Sequence, residues 1–531
     1  MKKTALSGAG SAALVAMVMI GSPAEAQTAL GSYTSDLLVS SSTYTDPGFA
    51  VGYALPNSGG VTAIASSAFC SNANCSSNVW NNVNADANFG ITSNLYLSNV
   101  NPLTGAVDNT VNVSAVAAAQ GINLNTSFSS KSEGAINLTP DGSGLTFMDY
   151  NTTAGQLDIS NSNTPGVTEP GNTDTATATY RGVVQFSLAN NAVQYTTTNA
   201  YNGNNGRAAI LGANGYYYMV GNGGNGNGSA ATTAGTGVQL LTPGLNATAL
   251  TPGTTQVASY SITQQGDTAD KTAKDNNFRG ETIYNGELYV TKGSGNNGIN
   301  TVYAVGPAGM TSSTTSPTAT AAGSMTILPG FSTTLAKATA TAANPVYHPF
   351  GLFFANSTTL YVADEGSGST SDLSATGTPY ELGGLQKYSL VGGSWTLDYT
   401  LRGSLMGSNY TVNGTGSLAG DSLSTNVDGL RNLTGQVNAN GTVTLYAVTS
   451  TIGSNLGDAG ADPNQLVAIT DTLGDTLTSQ VSGENYTVLE TAALGQVLRG
   501  VEVAPVPLPA AAWLMLSGLG GLGFMRRKQQ A

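Results

Sequence analysis

Residues 278–305 read FRGETIYNGELYVTKGSGNNGINTVYAV, and this stretch constrains the whole chain. Two short runs rich in β-branched and aromatic residues flank Asn285 and Gly286, a dipeptide with easy access to positive φ and therefore to a tight hairpin turn. A Gly/Asn-rich loop follows, then a third run, TVYAVG. The same order returns at GRAAILGANGYYYMVGN, at HPFGLFFANSTTLYVADEGSG and at NVDGLRNLTGQVNANGTVTLYAVTS. The equivalent positions Arg207, Arg279, Gly351, Arg431 and Arg499 stand 72, 72, 80 and 68 residues apart. A unit repeated at such a period buries its apolar face by stacking on its neighbours.

The repeat predicts an all-β fold, a β-propeller. A β-helix would show a much shorter period, and a tandem of β-sandwiches would not end on an orphan first strand. Residues 498–503, LRGVEV, are such an orphan: they restate the opening strand of a unit with no second strand behind them. Pairing them with the strand around residues 36–39 would build one blade from both ends of the chain and leave no sheet edge open. That composite blade, with blades centred near residues 90, 140, 215, 285, 358 and 440, gives seven four-stranded blades. FAVGYALP and VTAIASS, between residues 49 and 67, read as further strands, whereas residues 115–132 show no clear period.

Charged residues make up only 9% of the chain, a composition that would suggest disorder were 40% of it not hydrophobic, with 23 Tyr and 12 Phe. Acidic residues outnumber basic ones by 30 to 17, which argues against nucleic acid or an anionic lipid surface as a partner. The ends read differently from the body. Lys2 and Lys3, the apolar run AALVAMVMI and the small-x-small site Ala24-Glu25-Ala26 form a secretory signal over residues 1–26. Its removal leaves residues 27–505 as the propeller domain in an oxidising compartment. There Cys70 and Cys75 can bridge the loop FCSNANC or remain two free thiols; with no histidine nearby they make a poor metal site.

Residues 506–531 open on VPLP, continue through the apolar AAAWLMLSGLGGLGFM and close on Arg526, Arg527 and Lys528. The apolar run approaches the minimum for a transmembrane helix, and the basic cluster would hold its end in the cytoplasm. This tail resembles the PEP-CTERM sorting signal of Gram-negative bacteria, with Pro507-Leu508-Pro509 in place of the usual Pro-Glu-Pro. A plain C-terminal anchor is the alternative. The resemblance implies an exosortase-type processing enzyme as partner, cleavage near Pro507 and Pro509, and only transient residence in the inner membrane. The product would be secreted or held at the cell surface. Without both ends the chain carries 12 basic and 29 acidic residues.

Residues at the start of each innermost strand can converge on a propeller's channel. Arg207, Arg279, Arg431 and Arg499 share that repeat position, accompanied by Glu281, Asp428 and Glu502. Such a ring can bind a carboxylated ligand through the guanidinium forks, or simply tie the blade starts together. Asp364 and Glu365, with Asn426 and Asp428, offer oxygen ligands for calcium as a cofactor. His348, the single histidine, stands at the start of a repeat, where a carboxylate could make it a base. No G-x-S-x-G or H-E-x-x-H motif is present. These residues predict a non-catalytic extracellular-matrix protein binding polysaccharide or another surface component. The alternative is a calcium-dependent hydrolase or lactonase acting at the channel.

Overall fold

The computed structural model describes residues 28–45, 91–128, 130–156, 159, 179–201, 204–223, 235–247, 258–262, 274–293, 297–313, 323–337, 346–369, 382–452 and 460–505. The hairpin at the opening motif forms as its sequence demands. Glu281–Tyr284 pairs antiparallel with Glu287–Lys292 across Asn285 and Gly286, whose φ values of 50° and 78° are those of a type I′ turn. Thr301–Val305 and Gly323–Ile327 extend the same sheet outwards.

Six such sheets surround a central channel, so the fold is a β-propeller of six blades. From the axis outwards, the first blade runs Gln496–Val503, Leu37–Thr43, Thr92–Val100 and Val107–Asn112. Leu37 lies opposite Val503 and Thr43 opposite Gln496, so the two ends of the chain close the ring as the orphan strand predicted. The second blade is Asn137–Leu138, Gly144–Tyr150, Arg181–Ser187 and Val193–Thr198; the third is Gly206–Leu211, Tyr217–Gly221, Val238–Leu241 and Ala258–Ile262. The opening motif supplies the fourth. Pro349–Asn356, Thr359–Asp364, Gly384–Val391 and Ser394–Leu401 make the fifth. Ser422–Val437, Thr442–Ile452, Gln465–Thr472 and Thr487–Thr491 make the sixth, with Asn409–Asn413 paired to the overhanging start of its first strand.

The expected seventh blade is corrected by hydrogen bonding. The strand centred near residue 95 has Leu37–Thr43 on one edge and Val107–Asn112 on the other, so it belongs to the composite blade and founds no sheet of its own. The runs between residues 49 and 67, like Cys70 and Cys75, the signal at residues 1–26 and the tail from 506, lie outside the described residues. Among the described residues no helix is long and apolar enough to cross a membrane. The featureless patch contains one short helix, Val113–Ala119, whose Asn112 side chain caps the backbone N–H of Ala115 at 2.9 Å.

Packing agrees with the count of six. The strands alternate apolar side chains onto both faces, and each junction between neighbouring blades holds its own buried cluster. Leu97 and Val111 meet Leu145 and Phe147 between blades one and two, and Met148 and Val183 meet Tyr217 and Met219 between two and three. Tyr218 and Leu240 meet Val290 and Val305 at the next junction, and Val302 meets Val362 and Trp395 after it. Tyr361 and Leu385 meet Val443 and Leu445, and finally Val448 and Leu466 meet Val39 and Val501. Blades three and four are joined a second way. Their outermost strands pair in parallel, Tyr260 opposite Gly323, which fuses them into one eight-stranded sheet.

Candidate functional site

The innermost strands bring the arginines predicted from the repeat to one mouth of the channel. Each guanidinium is largely buried, and the four do different things. Arg499, 4% exposed, uses all five of its N–H groups: Nε donates to Ser42 Oγ, Nη1 to the carbonyls of Ser130 and Glu133, and Nη2 to those of Ser127 and Phe128. It fastens the closing strand to the segment entering blade two. Burial pushes its pKa down to about 10, which leaves it charged at neutral pH.

The other three keep donors in reserve. Arg207 Nη1 donates to Asn277 Oδ1 and to Phe278 O, at 2.7 Å for the latter, while its buried Nε has no hydrogen-bond partner. Arg279 Nη1 donates to Ser132 Oγ at 2.8 Å, its Nε is likewise buried without a partner, and its guanidinium lies over the Phe350 ring. Arg431 Nε donates to Glu365 Oε2 at 3.3 Å. The same carboxylate approaches Arg279 at 3.9 Å, so Glu365 is shared between two guanidiniums of different blades. Burial acts to raise the Glu365 carboxyl, but Arg279 and Arg431, with Lys131 behind them, outweigh it and hold it below the usual range. Burial and the neighbouring Arg279 together lower the pKa of Arg207 strongly. Two guanidiniums, Arg279 and Arg431, thus share one carboxylate, and Arg207 stands near enough to feel the charges of Arg279 and Glu365.

The calcium set is not assembled. Asp364 accepts the N–H groups of His348 and Gly366 on Oδ1 and the Gln386 amide on Oδ2, at 3.1, 2.9 and 3.0 Å. Glu365 faces the arginines. Asn426 turns to Gly407 O and to the Asn409 side chain, and Asp428 Oδ2 accepts from the Gly368 N–H at 2.7 Å. A Cβ on Gly366 would sit 2.3 Å from Asp428, so this turn closes tightly only on glycine. Among the described residues no three His, Cys, Asp or Glu side chains are placed to hold a metal ion. The four residues therefore do not fit calcium; Asp364 and Asp428 hold the loop that presents Glu365, and Asn426 ties its strand to the segment around Gly407. His348 Nδ1 lies 3.0 Å from Gly293 O, which fixes the ring as a donor at that nitrogen.

Deeper in the channel stand the two predicted glutamates. Glu281 is 7% exposed, and neither of its carboxylate oxygens has a hydrogen-bond partner. Glu502 accepts from Thr434 Oγ1 at 2.9 Å, and burial pushes its pKa up to about 7. Sequence reasoning missed Glu133, which accepts from Thr126, the Ser127 N–H and the Tyr150 hydroxyl on the segment that Arg499 grips. It also missed Lys387, Asp471, Tyr361 and Tyr399, a buried polar knot between blades five and six. A charged residue inside a strand of so poorly charged a chain was the available signal for Lys387.

No family model and no curated protein matches the chain. Among solved structures, a protein of unknown function from Dyadobacter fermentans is similar at a TM-score of 0.30 and 8% identity, over 68% of this chain and 94% of that one. A family 25 polysaccharide lyase, an ulvan lyase, is similar at a TM-score of 0.28 and 11% identity, over 88% and 96%. Likenesses this distant carry no substrate or activity to this chain.

Proposed function

We propose that this propeller binds an anionic component of an extracellular polysaccharide, a carboxylated sugar, at its arginine mouth, and that it binds without turning its ligand over. The observation that supports this is the imbalance at the mouth: Arg279 and Arg431 share one carboxylate, Glu365, and Arg207 beside them bonds only to Asn277 and Phe278. A guanidinium carries five donors in a fork matched to carboxylate geometry, so three of them can engage an incoming carboxylate as well as Glu365. The imbalance stands out because the chain is acidic overall. A binding role suits the neighbouring groups too, since the oxygens of Asp364 are taken by N–H donors and the His348 ring is tethered to a backbone carbonyl.

The test is calorimetry of an oligouronate against a neutral oligosaccharide of equal length. The acidic sugar should bind and the neutral one should not. Arg279→Ala should weaken binding by about 10- to 100-fold, the worth of a charge-assisted contact, measured at a temperature where the variant is folded. Equal affinity for both sugars, or an undiminished affinity in the variant, would refute the proposal.

A further inference from the structure

The interior of the channel has the opposite chemistry to its mouth. All six innermost strands, or the segments leading into them, line a cavity of about 290 Å³, room for several water molecules. Three of its polar side chains make hydrogen bonds of their own. Asn137 Nδ2 donates to Ala209 O at 3.2 Å, Asn432 Nδ2 to Arg499 O, and the Thr434 hydroxyl to Glu502. What stands out in the lining is Glu281, whose two buried carboxylate oxygens have no hydrogen-bond partner. No neighbouring guanidinium bonds to it: Arg207 donates to Asn277 and Phe278, and Arg279 donates to Ser132 and approaches Glu365. A carboxylate left so is strongly disfavoured unless it takes up a proton or a positive charge joins it.

We propose that the channel interior takes up a small cation, either a metal ion or a protonated amine, on the Glu281 carboxylate beside the amide groups of Asn137 and Asn432. The site is separate from the arginine mouth and does not depend on what binds there. Glu281 and Glu502, the latter bonded to Thr434, fall short of a calcium cage, so a metal ion would keep much of its water shell, which the cavity has room for.

The experiment compares the purified protein with its Glu281→Gln variant, which preserves shape and removes charge. Calorimetry and melting curves are recorded with calcium chloride, magnesium chloride, potassium chloride and ethanolammonium chloride at constant ionic strength. One cation per chain should bind and raise the melting temperature, with affinity at least about tenfold weaker in the variant. Binding confined to the metal salts identifies the occupant as a metal ion, and binding confined to ethanolammonium identifies an amine. Should Glu281→Gln fail to fold, Glu281→Asp keeps the charge but draws it back by one methylene, and it must weaken binding likewise. Absence of binding by every salt, or unchanged affinity in the variant, overturns the proposal.

Discussion

A single lysine shows how this chain handles charge. Lys387 is fully buried, and its ammonium pairs with Asp471 at 2.8 Å while donating to the Tyr399 hydroxyl and to the carbonyls of Thr472 and Asp475. Tyr361 and Tyr399 both donate to Asp471, so every member of the knot is satisfied. Glu484 stands next to this knot. Burial, and then the charge of Asp471, push its pKa up to about 8, as burial pushes Glu502 to about 7. Both folded values exceed the unfolded value near 4.5, so the stability these groups contribute is complete below that pH. It is lost as the pH climbs through 7 and 8. Glu365, held low by its arginines, acts in the opposite sense, adding stability above its unfolded value. With Glu133, Asp149 and Glu281 also raised, the raised carboxyls outnumber it. The melting temperature should therefore fall between pH 5 and pH 8, and Glu484→Gln should flatten the slope. A slope that the variant leaves unaltered would remove Glu484 from the explanation.

At the scale of elements, the closing strand carries the sharpest expectation. Gln496–Val503 supplies the innermost strand of blade one and half of its junction with blade six. A chain ending at Val497 would bare the edge of Leu37–Thr43 and leave Val39, Val100 and Val448 facing water. One ending at Pro505 keeps every described strand. The first should melt far below the second, and equal melting temperatures would mean that the closure carries no weight. The strand itself was legible in the sequence because it repeats a motif, as were the hairpins, through Asn285-Gly286 and its counterparts. The blade count was not legible. Strand-like runs before residue 92 suggested an extra sheet, and only the pairing of Leu37 with Val100 shows where that strand sits. The parallel seam between blades three and four left no sequence trace, because it joins edges rather than motifs. The arginine positions could be read from their spacing, but not their roles: the partners of Arg499 are mostly backbone carbonyls, which every residue possesses. Glu365 drew attention as a calcium ligand and proved to be the counter-charge of the arginines.

For the molecule as a whole, location is the property that the ends of the sequence address. The proposal of an extracellular binding protein requires export and loss of the tail, as the leader and the resemblance to PEP-CTERM signals imply. Mass spectrometry of native extracellular material should find an N-terminus at Gln27 and no peptide beyond about Pro509, the point at which an exosortase-type enzyme would cut. Recovery of an intact Arg526-Arg527-Lys528 end outside the cell would refute that processing.

The register of the closing strands also decides how the ring responds to a pull. Leu37, where the chain enters its first strand, lies directly opposite Val503, where it leaves its last. Tension applied at the two ends therefore acts at the same end of the pair and parts its hydrogen bonds one after another, as a zipper opens. Shearing would have loaded them together. Held by one end alone, the ring bears no force across this seam; anchored by both, it would yield there first, at a rate set by peeling one strand and not by unfolding a blade.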